Sequence, residues 1–157
     1  MMNSGAVSWK SKLQTVNAHS TTDAEIYAAT AAIKEVAYIR DALRRIGLPQ
    51  AQADNSSRGT TLYEDNEATC AIARTASHRE ATKHLAIARY FVRYHHEHGT
   101  VCLADCTTQN QLADFLTKSL GGKLFKQLTD NAMGVQPMLS KDKYARRDWR
   151  SEYESKY

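Results

Sequence analysis

A strand that runs directly into a helix constrains this chain more than any other feature. Thr60, Thr61, Leu62 and Tyr63 have strand character. Glu64, Asp65 and Asn66 follow at once, and Ala68, Ala71 and Ile72 then recur at helical spacing. An acidic side chain at such a junction lies on the rim of an α/β sheet, where ligands usually bind. Asp65 can hold a metal ion there. Equally, Asp65 or Asn66 can do no more than cap the helix that follows, which is an ordinary use of either residue.

The flanking sequence agrees with an α/β fold. Thr22, Asp23, Ala24, Glu25 has the form of a capping box, with Thr22 as cap, and opens a long helix whose apolar stripe includes Ala29, Ala32, Ile33, Val36, Tyr38, Ile39, Leu43 and Ile46. Gly47 and Pro49 end it. The polar stretch from Gln50 to Gly59 reads as a loop. A second long helical pattern runs from Glu80 to His98, with Leu85, Ala88, Phe91, Val92 and His95 facing inward and Gly99 at its C′ position. Val101 to Ala104 is a further strand, Asn110 opens a helix through Lys118, and Leu124, Phe125, Leu128 and Met133 mark a last short core helix. Before all of these, Gly5 to Trp9 reads as a short strand and Leu13 to Ala18 as an extended segment. At 157 residues the chain can bury one substantial core. We therefore expect a domain over residues 1–135 and a basic, aromatic extension over residues 136–157.

Composition narrows the function classes. The formal charge of +4 suits a polyanionic partner without the dense Lys/Arg clustering of a dedicated nucleic-acid binder. Three cysteines, Cys70, Cys102 and Cys106, make no even disulfide framework and no CxxC pair; Cys70 in a helical pattern and Cys102 in a strand pattern read as reduced core residues of a nuclear or cytoplasmic protein. No apolar run spans a bilayer, and no secretory signal opens the chain, so no membrane partner is expected. His95, His96 and His98 crowd the end of a helix, yet no ligand pattern for zinc accompanies them. A C-terminal electrostatic role suits them better.

Three acids, Glu25, Asp65 and Asp114, each fall at the start of a helix or at a strand-to-helix junction. If the elements between them pack as one α/β unit, these carboxylates can converge on one rim. Hard divalent cations take oxygen ligands, and a pair of them activates water and stabilises the leaving oxygen of a phosphodiester. Plain alternatives exist: Glu25 as capping-box partner, Asp114 as a surface residue of a short helix.

The segments NAHSTTDAEIYAATAAIKEVAYIRDALRRIG, TLYEDNEATCAIA, TKHLAIARYFVRYHHEHG and QLADFLTKSL, in that order, resemble the ribonuclease H domain at the end of copia-type retrotransposon polyproteins. GAVSWKSKLQTV resembles the strand entering that region, and the likeness covers roughly Gly5 to Val135. It implies an RNase H-like mixed sheet flanked by helices, and magnesium-dependent cleavage of RNA in RNA–DNA hybrids, with manganese able to replace magnesium. The motif acids, which would be both catalytic residues and metal ligands, fall on Glu25, Asp65 and Asp114. Ser20, Thr21, Asn66, Lys83 and His84 fall where the substrate backbone would be met. Asp23 stands where glutamate is frequent, and Ile26 where tyrosine is. Such domains usually begin with a strand bearing a first catalytic aspartate and then another strand. Met1 to Ala6 supplies neither, so the resemblance implies a sheet without its usual first strands and a site that keeps three of its four acids. A homodimer or another polypeptide would then complete it. Two function classes remain: an RNase H-type endoribonuclease, and an inactive module retained for structure or interaction within a larger complex.

Overall fold

The computed structural model describes residues 5–48, 59–74 and 83–135. The loop read over Gln50–Gly59 (all but Gly59), the polar connection before α3 and the 136–157 extension lie outside the described residues. The elements follow the order α1 (Thr21–Arg45), β1 (Thr60–Glu64), α2 (Glu67–Arg74), α3 (Lys83–Glu97), β2 (Val101–Asp105), two 3₁₀ turns (Thr108–Asn110 and Leu112–Leu116) and α4 (Gly122–Met133). They form two compact units, Val16–Ala104 and a second made of Met1–Thr15 with Asp105–Tyr157. None of the described helices is long and apolar enough to cross a membrane.

In the Val16–Ala104 unit, β1 and β2 form a two-stranded parallel sheet, which fixes the α/β class. Two strands alone are marginal in water. The unit's stability therefore rests on α1, α2 and α3, which bury one cluster: Ile26, Ala29 and Ile33 from α1, Cys70 and Ala73 from α2, Leu85, Ala88 and Val92 from α3, Val101 and Leu103 from β2. The α1 and α3 members recur at i, i+3 and i+7, one face of a helix. Fully buried residues such as Ile26, Ile33 and Leu103 each contribute about 1.5–3 kcal/mol of transfer free energy.

The apolar stripe of α1 is shorter than the sequence pattern suggests. Tyr38 and Ile46 are 72% and 71% exposed, so only the N-terminal half of the helix is pressed onto the core. Its cap also lies two residues earlier than Thr22. Ser20 adopts an extended backbone and its side chain accepts a hydrogen bond from Asp23 N at 3.1 Å. That earlier start turns Asp23 inward, where it forms an ion pair with Arg89 of α3 at 3.5 Å.

Where β1 begins, Thr60 N donates to Thr100 O at 3.1 Å. A Cβ on Gly59 would come within 2.5 Å of Thr100 O and closer still to Gly99 O, so only glycine permits this approach. Gly99 itself has φ +66°, the left-handed conformation anticipated for the residue after α3.

In the second unit, α4 buries Leu128, Asn131 and Ala132, while Phe125 and Met133 are exposed, the reverse of their expected core role. The helix expected from Asn110 to Lys118 is replaced by two 3₁₀ turns. Asp114 N bonds to Gln111 O and Thr117 N to Asp114 O, at 3.2 and 3.1 Å, both i→i+3. Tighter winding eclipses Leu112 and Phe115 on one side, and the Phe115 ring meets Phe125 edge-on at 6.2 Å. The strand expected over Gly5–Trp9 is reduced to a bridge at Gly5, with Ala6 N donating to Ala132 O at 2.8 Å. Leu13–Ala18 forms no strand either. Val7, Trp9 and Leu13 are exposed, so no apolar face is buried that would hold either segment in register.

Candidate functional site

The C-terminal end of β1 carries the acidic centre of the Val16–Ala104 unit. Alternation along the strand places Leu62 and Glu64 on the same inward face. Leu62 packs on the core, and Glu64 is only 6% exposed. Burying a carboxylate is costly unless hydrogen bonds replace its water. Here the Asn66 backbone N–H donates to Glu64 Oε1 at 3.0 Å, and the Asp65 amide adds a second backbone bond. Burial nonetheless pushes the Glu64 carboxyl up to about 7. The negative charges of Glu25 and Asp65 push the same way, against the pull of the two amides.

That coupling places Glu25 and Asp65, two of the three acids anticipated from the sequence, in one electrostatic neighbourhood around Glu64. Both are half-buried. Asn66 performs the capping that was the plainer expectation for this junction. Its Oδ1 accepts from Ala68 N at 3.0 Å and from Thr69 N at 3.2 Å, satisfying the first turn of α2. Capping therefore falls to Asn66, with Asp65 one residue before it. Asp114 belongs to the other unit; it is buried and accepts an ion pair from Lys118 Nζ at 2.9 Å. Among the described residues, no three His, Cys, Asp or Glu side chains are grouped as a metal ion would need.

The residues anticipated for substrate contact are distributed along the chain. Ser20 caps α1, and Thr21 is exposed as its first residue. His84 is exposed in the first turn of α3; the Lys83 side chain lies outside the described residues. Glu64 was missed as a site residue. The period-2 pattern of β1 was the available signal, because it puts Glu64 on the face of Leu62.

Two of the histidines at the end of α3, His95 and His96, depart from the electrostatic role expected of the cluster. His96 Nδ1 accepts from Leu103 N at 3.4 Å, His95 Nδ1 shares a hydrogen bond with Thr100 Oγ1 at 3.0 Å, and His98 Nδ1 donates to Tyr94 O at 2.8 Å. Burial lowers the pKa of both His95 and His96, favouring the neutral ring. His95 thus ties α3 to Thr100, just before β2, and His96 ties it to Leu103 within β2, both favoured as neutral rings.

Comparison with known proteins bears on what this acidic strand end belongs to. The chain is 31% identical over 114 residues to the retrovirus-related Pol polyprotein from transposon TNT 1-94 of Nicotiana tabacum, a stretch covering 73% of this chain. Its homologues are retrovirus-related Pol polyproteins of transposons. Two further Pol polyproteins, from transposons RE1 and RE2 of Arabidopsis thaliana, are 28% and 27% identical over 120 and 123 residues, or 76% and 78% of this chain. In each case the matched stretch spans 8% of the Pol polyprotein. No protein-family model and no solved structure matches the chain.

Proposed function

We propose that this chain is an RNase H-like domain of Pol polyprotein origin whose inherited chemistry is divalent-metal-dependent hydrolysis of the RNA strand in RNA–DNA hybrids. The observation that carries the reading is the end of β1. There Asp65 follows a buried acid, Glu25 acts on the same acid, and the backbone turns at once into a capped helix.

The donor chemistry fits magnesium or manganese, both hard cations that take oxygen. Magnesium is commonly held by one or two carboxylates together with waters and substrate phosphate oxygens, so Glu25 and Asp65 are a sufficient protein contribution at this rim. The motif resemblance adds Asp114 to the inherited acids; within its own unit that carboxylate is ion-paired with Lys118. When bound, the metal supplies an activated water and charge stabilisation at the phosphodiester. The protein's own part is to present the carboxylates in a fixed direction and to meet the hybrid's phosphate backbone through polar groups of Ser20, Thr21, Asn66, Lys83 and His84. Selection would follow duplex shape and 2′-hydroxyls, with no base code.

The test is cleavage of an end-labelled RNA–DNA hybrid by purified protein in magnesium and in manganese. We expect RNA-strand products that vanish with EDTA and fall about a thousandfold in Asp65→Asn, the scale of losing one transition-state electrostatic partner. A folded sample that leaves the hybrid intact in both metals overturns the enzymatic reading.

A second reading has its own support. Val7, Trp9 and Leu13 are 51%, 73% and 91% exposed along one short segment, more apolar surface than scattered single residues present. It suits a non-catalytic module held in an assembly, either a homodimer or a complex with another polypeptide. Light scattering decides it: a mass above the monomer that returns to monomer in Trp9→Ser supports the reading, and a compact monomer at micromolar concentration removes it.

A further inference from the structure

Glu64 is the acid at this rim to which the motif resemblance gives no role. Its carboxyl is buried at the last position of β1, accepts the Asn66 amide at 3.0 Å and is also bonded to the Asp65 amide. Asp65 is therefore mounted on a stretch of backbone held at its own N–H and at the next. Asn66, fixed by Glu64 through its main chain, in turn fixes α2 through its side chain by accepting from Ala68 N and Thr69 N. The hydrogen bonds thus run in one chain from a core-facing carboxyl, through the turn, to the first turn of a helix. An apolar side chain at residue 64 would satisfy the core equally well and take the carboxyl acceptor from two half-buried backbone amides.

We propose that Glu64 is a positioning residue: its buried carboxyl clamps the Asp65–Asn66 turn and sets the direction in which the Asp65 side chain leaves the strand. The geometry of the clamp stands on the hydrogen bonds above, and its catalytic consequence rests on the reading of Asp65 as a metal-holding acid. Glutamine retains a side-chain oxygen at the same reach. Methionine keeps the length and bulk of the side chain but offers no oxygen to either amide. Alanine removes the acceptor.

Amide hydrogen exchange followed by NMR tests the clamp in wild type, Glu64→Gln, Glu64→Met and Glu64→Ala. The Asp65 and Asn66 amides should lose about tenfold protection in Glu64→Ala, the scale of one lost hydrogen bond. They should lose it in Glu64→Met also, remain near wild type in Glu64→Gln, and leave Ile33 and Leu103 unchanged. Unchanged protection at Asp65 and Asn66 in Glu64→Met overturns the proposal. So does a loss spread evenly to Ile33 and Leu103, which marks general destabilisation. Should Glu64→Ala fail to fold, the Met and Gln variants carry the same comparison. In hybrid cleavage, kcat should fall in Glu64→Met with KM within about threefold, and recover in Glu64→Gln; a fall in both parameters alike, or no recovery, overturns the positioning role. If wild type cleaves no hybrid, the proposed function fails while the exchange comparison still decides whether Glu64 clamps the turn.

Discussion

Glu64 and Gly59, at the two ends of β1, each carry a consequence that one substitution exposes. The Glu64 carboxyl is raised from 4.5 to about 7 by burial, so the folded state holds its proton more tightly than the unfolded chain does. Its favourable contribution is complete below pH 4.5 and is lost as pH rises through 7. Glu64→Gln has no proton to lose. In metal-free protein its melting temperature should therefore gain on wild type between pH 5 and pH 8, and parallel curves would show that Glu64 does not titrate in that window. At Gly59, alanine drives a Cβ into the carbonyls of Gly99 and Thr100, both backbone and unable to swing aside. We expect Gly59→Ala to lower stability by about 2 kcal/mol, within the range of overpacked sites, measured by urea unfolding. A loss below about 0.5 kcal/mol, the scatter of ordinary surface substitutions, would mean that the strands part easily there. Neither effect can be read from residue type. Glutamate is usually solvated, and Gly59 looks like the end of a polar loop until Thr100 is placed beside it.

Between elements, the pair Asp23–Arg89 joins the first turn of α1 to the middle of α3, with side chains 9% and 21% exposed. Removing the acid leaves a largely buried guanidinium without its ion-pair partner. At 3.5 Å, and with Arg89 partly hydrated, Asp23→Ala should cost about 2 kcal/mol, less than the roughly 3–5 kcal/mol of a fully buried pair. Chemical denaturation measures it, and an unchanged midpoint would show that the pair is incidental to the packing of α1 on α3. The end of α3 shows the opposite titration to Glu64. Burial lowers the pKa of His96 from 6.5, so its stabilising contribution is present above 6.5 and is lost as pH falls through the folded value. An NMR titration of the His96 ring should give a midpoint below 6.5; one above it would show that the charge of Glu97 outweighs the burial of the ring. Helices α1, α3 and α4 were legible because apolar residues repeat at helical spacing. The cap at Ser20 and the 3₁₀ winding around Asp114 were not, since both depend on which partners the ends of these segments find.

For the molecule as a whole, Cys70, Cys102 and Cys106 are buried and outside any disulfide, as the apolar pattern suggested for Cys70 and Cys102. A thiol reagent should label none of them in the native protein within minutes and all three in guanidinium. Rapid labelling of one would show that its unit opens readily. The acids divide along the same lines as the chain: Glu25 and Asp65 belong to Val16–Ala104, Asp114 to the other unit. By itself the sequence determined the α/β class, the helices with strong periodicity, the reduced thiols and the acidic strand end, because each is written in spacing between near neighbours. Tertiary structure alone decided that Glu64 is buried, that Asn66 rather than Asp65 caps α2, and that Asp23 meets Arg89. Desolvation and hydrogen-bond partnership are properties of a place in the fold, and the same glutamate on a solvated strand would have neither.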